Sequence, residues 1–192
     1  MADTGTLSFV SQDSGWSVSH GVGSGTMLTD DGNTSMGMLN QTAIVSNASL
    51  GGSDIGSGAT INGCEVFLTD FGYFASYSAS TLEIKLSIDG GSSFSSAKTQ
   101  ALDSAASTLP TTDYTIGSSS DTWGLSWGTG GVDISDLQVS VKATGSGFML
   151  VFGDYIGIKI YYTLAVADSS IPPILNVKSG YINLKSGKLI IK

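Results

Sequence analysis

Proton transfer and nucleophilic catalysis need two convergent groups with opposed roles, such as a serine with a histidine or a pair of carboxylates. The chain has one histidine, His20, in a Ser- and Gly-rich stretch with no signature around it. Its two glutamates, Glu65 and Glu83, sit in alternating patterns that turn them to solvent. No Gly-rich run is followed by Lys-Ser or Lys-Thr, so a phosphate loop is not offered. Asp30-Asp31-Gly32-Asn33 has the oxygen ligands calcium prefers, but the spacing fits no standard loop and a turn is the simpler reading. Trp16, Tyr73, Tyr77, Trp123 and Trp127 have the flat apolar faces on which sugars stack. These residues assign no catalytic group, no cofactor-binding group and no metal ligand, and the expectation is a protein that is not an enzyme.

The charge pattern bears on partners. All eight basic residues are lysines, and four of them (Lys178, Lys185, Lys188, Lys192) lie in the last 22 residues, which hold no acid. The preceding body sets four lysines against sixteen acids, a net −12 beside +4. An acidic body without arginine argues against nucleic acid, because guanidinium groups normally read both phosphates and base edges. No stretch approaches the roughly 18 apolar residues of a membrane span, and residues 1–15 lack a basic n-region and an apolar h-region, so synthesis in a host cytoplasm is expected. The three Asn-x-Ser/Thr sites at Asn33, Asn40 and Asn47 then read as polar loop sequence. The single cysteine, Cys64, lies in an apolar strand pattern as an inert buried thiol and forbids an intramolecular disulfide.

The elements that must position these residues are strands. With 26 Gly and abundant Ser and Thr, the composition suits short strands joined by tight turns. Leu82, Ile84, Leu86 and Ile88 alternate with Glu83, Lys85 and Ser87, predicting one buried row that ends in the turn Asp89-Gly90-Gly91, with the apolar pattern resuming at Phe94. Leu137, Val139, Val141 and Ala143 repeat the pattern, and the runs 148–152 and 156–162 follow at about ten-residue spacing. Shorter strands are predicted at 7–10, 16–19, 35–39, 43–45 and 64–69. Asp133 can cap a single helical turn over 133–137. The fold class is therefore all-β: an antiparallel, jelly-roll-like β-sandwich body over 1–167, a linker at 168–173 carrying Pro172-Pro173, and a short C-terminal β-arm over 174–192.

Three segments carry a resemblance: Gly58-Ala59-Thr60-Ile61-Asn62-Gly63-Cys64-Glu65-Val66, Asp121-Thr122-Trp123-Gly124-Leu125-Ser126-Trp127, and Asp154-Tyr155-Ile156-Gly157-Ile158-Lys159-Ile160-Tyr161-Tyr162. In this order, and over roughly residues 15–163, they resemble an all-β module recurrent in structural and tail-associated proteins of tailed bacteriophages. Thr-Pro commonly follows the second tryptophan in that module, where this chain has Gly128-Thr129-Gly130-Gly131, and the basic strand residues often seen after the first segment are missing. The resemblance implies that Trp123 and Trp127 pack in the core, leaving Trp16, Tyr73 and Tyr77 as the glycan contacts to consider. Locally, Ser87-Ile88-Asp89-Gly90-Gly91-Ser92-Ser93-Phe94 is similar to the Asp-box hairpin of sialidase-like propellers; one copy builds a hairpin, not a propeller.

The resemblance implies a non-enzymatic virion protein, a capsid decoration (cement) protein or a head or tail appendage subunit. Its partners would be other virion proteins, such as the major capsid protein, and copies of itself in a homo-oligomer such as a trimer. The alternative is a carbohydrate-binding module that recognises host surface glycans, and a third reading is a subunit of an extracellular filament joined by strand exchange. The arm supports the first. Residues 178–184 and 185–191 repeat Lys-Ser-Gly-x-apolar-x-apolar. Hairpin loops at Ser179-Gly180 and Ser186-Gly187 would pair 177 with 182 and 182 with 191, and 175 with 184 and 184 with 189. Leu175, Val177, Ile182, Leu184, Leu189 and Ile191 then share one face, with Lys178, Lys185, Lys188 and Lys192 on the other. So small a sheet cannot bury six apolar side chains by itself, so these ten residues are read as an assembly interface.

Overall fold

A computed structural model describes the whole chain except residues 15, 21–26, 39, 49–54, 75, 77, 106–111, 129, 148–149, 165–174, 178–179, 186–187 and 192. Its strands are β1 (Ala2–Asp3), β2 (Leu7–Ser14), β3 (Ser17–His20), β4 (Thr34–Met38), β5 (Thr42–Ala48), β6 (Thr60–Thr69), β7 (Gly72–Phe74), β8 (Ser80–Ser87), β9 (Lys98–Ala101), β10 (Ser104–Ala105), β11 (Tyr114–Ser118), β12 (Gln138–Gly145), β13 (Leu150–Gly153), β14 (Tyr155–Thr163), β15 (Leu175–Val177), β16 (Gly180–Lys185) and β17 (Lys188–Ile191). A single 3-10 turn, Ile134–Asp136, is the helical element among the described residues.

One sheet runs β11-β6-β14-β2-β5-β12-β8-β9, with β1 also on β14, and a second runs β10-β7-β13-β4-β3. Pairing is antiparallel apart from β10 on β7. Strand β2 joins two halves of the larger sheet, pairing with β14 through Leu7 and Ser8 and with β5 from Phe9 onward. The chain passes between the sheets by short connections, among them Asp70–Phe71 between β6 and β7 and Asp154 between β13 and β14. The architecture is the predicted jelly-roll-like sandwich.

Alternation produces the core as read. Leu82, Ile84 and Leu86 of β8 face Ala143, Val141 and Val139 of β12 in register, and all six are buried. Ile88 departs from the predicted row: β8 ends at Ser87, and Ile88 is half-buried in the turn that follows. Ser87 and Asp89 begin that turn by hydrogen-bonding each other, which ends the ladder one residue early. The return strand is the polar β9 rather than a run from Phe94; at the edge of the sheet its side chains are half-buried or exposed, which suits Lys, Thr and Gln.

Trp16 corrects another expectation. It is 4% exposed, its indole N–H donates to the Gln41 carbonyl at 3.2 Å, and its ring lies 6.2 Å from that of Phe71. Gly37 makes the room, since a Cβ there would sit 2.2 Å from the indole. A core side chain so enclosed has no face to offer a sugar.

In the arm, β15, β16 and β17 form a separate three-stranded sheet. The second hairpin has the expected register, Ile182 opposite Ile191 and Leu184 opposite Leu189. The first differs: Leu175 pairs with Ile182 and Val177 with Gly180, so the two-residue connection falls at 178–179 instead of 179–180. Moving a turn by one residue slips the ladder by two, which keeps every residue on the same face; the apolar pattern therefore cannot choose between the two registers. The arm side chains and the 168–173 linker lie outside the described residues.

Candidate functional site

The three segments that carry the resemblance come together in space. β6 and β14 are ladder neighbours, with Ile160 opposite Cys64 and Ile158 opposite Val66. The tryptophan loop docks on the same point: the Cys64 N–H donates to the Asp121 carbonyl at 2.9 Å, and the Trp123 indole donates to the Cys64 carbonyl at 3.0 Å. Asp121 also accepts from the Trp123 N–H at 2.9 Å and pairs with Lys98 at 2.7 Å, while that ammonium lies 5.1 Å from the Trp123 ring. Glycine is required at 117, where φ is +97° and a Cβ would stand 2.3 Å from the Cys64 oxygen. Burial raises the Cys64 thiol well above its usual range, with Asp121 and Glu65 adding to the shift, so it stays protonated and enclosed.

This anchored loop continues into an open cleft of about 590 Å³. Three segments frame it. Ile55 and Val132 form a two-bond bridge (3.0 and 2.9 Å) that fixes 55–57 against 130–132. Gly131 permits that approach, with φ +95° and a would-be Cβ 2.5 Å from the Ile55 oxygen. The Gly90 N–H donates to the Asp136 carbonyl at 3.0 Å, tying the 87–93 hairpin to the 3-10 turn. The hairpin is itself rigid: the Asp89 carboxylate takes bonds from the Ser87 hydroxyl (2.7 Å) and from the Ser93 N–H (2.9 Å) and hydroxyl (2.6 Å). Those bonds, from Ser93 first, hold Asp89 down to about 2.

The cleft floor is apolar, built from Ile55, Ile88, Val132 and the rim of Trp127; Asp133 and Asp136 stand exposed beside it. Trp127 is 9% exposed and its N–H is committed to the Thr122 carbonyl at 3.0 Å, so little of its ring is left for a sugar to stack on. Asp133 caps the turn as expected, accepting from the Ser135 hydroxyl and N–H, which hold its carboxyl low and ionised. The fixed Asp133 carboxylate and the exposed one of Asp136, beside an apolar floor, can accept hydrogen bonds from hydroxyl or ammonium groups, and the volume falls in the ordinary range of small-ligand sites.

The remaining sequence candidates do not converge here. Tyr73 is half-buried on β7 against the core, opposite Val151 of β13. Tyr77 and the side chain of His20 lie outside the described residues; the His20 backbone pairs with Thr34. The Glu65 carboxylate accepts from the Tyr161 hydroxyl at 2.7 Å, which pushes that phenol up to about 12. Sequence reasoning missed the cleft because its walls come from separate stretches of chain: residues 55–57, Ile88, Trp127, residues 130–133 and Asp136.

No family model matches the chain, and no curated protein does. Among solved structures it is similar to the CBM22-1–GH10 modules of endo-1,4-β-D-xylanase 10B from Clostridium thermocellum, complexed with xylohexaose, at a TM-score of 0.42 and 12% identity. That likeness covers 87% of this chain and 29% of the other, so the chain spans less than a third of that protein's length. At that level it carries no inference about ligand or activity.

Proposed function

We infer that the chain is a non-enzymatic building block of a bacteriophage virion, a capsid decoration protein or a head or tail appendage subunit. In this reading the sandwich is displayed and the C-terminal sheet attaches it to the particle. The observation that carries the reading is the arm: three strands that pair with one another and, among the described residues, with no strand of the body. Their sequence alternates Leu175, Val177, Ile182, Leu184, Leu189 and Ile191 with lysines and polar residues, Ile190 being the one aliphatic exception, and the +4 segment is complementary to an acidic surface. The sequence resemblance supports the virion setting, and the three segments that carry it form one interlocked unit. Deleting residues 171–192 tests the role: the account expects a folded body that no longer co-sediments with particles, and unchanged attachment refutes it.

The cleft favours a second reading, recognition of a glycan. Its apolar floor and exposed Asp133 and Asp136 suit a sugar held by its hydroxyls beside Trp127. A glycan array with the intact protein and with Asp136→Asn separates the two, because reproducible binding lost in that variant supports recognition, while a blank array leaves attachment alone.

A further inference from the structure

The tip of the C-terminal sheet carries a charge pattern that nothing in the arm answers. In the β16–β17 hairpin Lys185 stands opposite Lys188, next to the Leu184–Leu189 pair. Like charges directly opposite each other on a ladder repel. Residues 174–192 hold no acidic side chain to offset them, and among the described residues the arm pairs with no strand of the body. The hairpin tip therefore sets two leucines and two lysines at adjacent register positions.

The cleft of the body has the complementary pattern. Its floor is aliphatic, from Ile55, Ile88 and Val132, and its two charged lining residues are acids, the exposed Asp133 and Asp136. Asp89 adds a third carboxylate from the hairpin that frames the cleft, which the Gly90 N–H ties to the Asp136 carbonyl. The lysines in the described ion pairs are bound to Asp121 and Asp3, not to these three acids. Paired strands lie about 4.8 Å apart, so a cleft of about 590 Å³ takes a hairpin tip end-on but not the face of a three-stranded sheet. Pro172-Pro173, in the sequence between body and arm, has the composition of a semi-rigid spacer, which keeps a chain's own tip off its body and leaves the cleft to another copy.

We propose that the β16–β17 hairpin tip of one copy seats in the cleft of a second copy, with Leu184 and Leu189 against the aliphatic floor and Lys185 and Lys188 paired with Asp133 and Asp136. This rests on the reading of the arm as an attachment device and names its partner as the same protein. Long lysine stems let the ammonium groups reach the carboxylates at the rim while the leucines enter. Tip and cleft are different surfaces, so the contact is head-to-tail and builds rings or open chains of copies instead of a two-fold dimer. A contact this small is weak singly, and a particle carrying many copies multiplies it.

The test is sedimentation velocity of the full chain over a concentration series at low and high salt. The expected result is association that grows with concentration and weakens with salt. Asp136→Lys leaves the backbone bond to Gly90 in place, and it should raise the dissociation constant at least about fivefold; Lys185→Glu combined with Lys188→Glu should do the same from the other side. Mixing the two variants pairs a lysine tip with an acidic cleft and an acidic tip with a lysine-bearing one, and should restore association to the wild-type level. The arm variant alone decides the matter if Asp136→Lys fails to fold. A full chain that stays monomeric overturns the contact, as does association undiminished in the arm variant or a mixture of two folded variants no stronger than either alone. The attachment reading fails separately, through particles that retain the chain lacking residues 171–192; a monomeric chain whose truncation still abolishes co-sedimentation refutes the cleft contact and leaves the arm on a shell protein.

Discussion

Ile84 is the sharpest probe of the sandwich. It is 0% exposed, stands on β8 opposite Val141 of β12, and is flanked on the same face by Leu82 and Leu86. Truncation to alanine removes three carbons from a site walled by fixed strands, so little relaxation can refill the space; the cost should be about 2–5 kcal/mol. Against a typical domain stability of about 5–15 kcal/mol, that is a large fraction, and for a chain of this size it lowers Tm by roughly 4–20 °C. Ile84→Asp adds an unpaired carboxylate in the same place and should prevent folding altogether. Glu83, one residue away, points outward, and Glu83→Gln should stay within about 0.5 kcal/mol. Circular-dichroism melts and soluble yield read all three. If Glu83→Gln melted below Ile84→Ala, or Ile84→Asp folded normally, the inward face of β8 would be the other one.

Trp123→Phe should lower stability by about 1–3 kcal/mol through loss of the bond to the Cys64 carbonyl, with its effect on Tm larger than that of a surface control; an unchanged melt would detach the tryptophan loop from β6. Asp89 is held to about 2 against an ordinary 3.8, so the stability it lends is complete above about pH 4 and is lost as pH falls through 2. Asp89→Asn should therefore flatten that acid limb in a pH series of melts, and an identical limb in the variant would contradict the hairpin network. Gly131→Val combines a left-handed φ with a clash at the Ile55 carbonyl, and should open the Ile55–Val132 bridge, read as faster amide exchange at those two residues while the β8 and β12 amides stay protected.

What could be read in the sequence follows how local each cause is. The rows of β8 and β12 were legible because inward and outward residues alternate one by one, and Asp133 was legible as a cap because its partner Ser135 is two residues on. Trp16 was not: its neighbours are glycine and serine, and its burial depends on Gly37, twenty-one positions later, lacking a Cβ where the indole lies. Nothing local marks Asp154 as buried; its carboxylate accepts from the Gly32 N–H, 122 residues away. The arm showed which residues share a face and not which turn is used, because registers two residues apart satisfy the same pattern. The cleft had no local pattern to find, being the space left between three loops.

The central claim is attachment to a virion through the C-terminal sheet, and electron cryo-microscopy of virions purified from cells expressing this chain tests it most directly. The account predicts density for the sandwich at regular positions on the particle, with residues 175–191 seated on a neighbouring subunit or the shell. Particles that lack the chain, or a bound chain whose 175–191 sheet packs only on its own body, would contradict it.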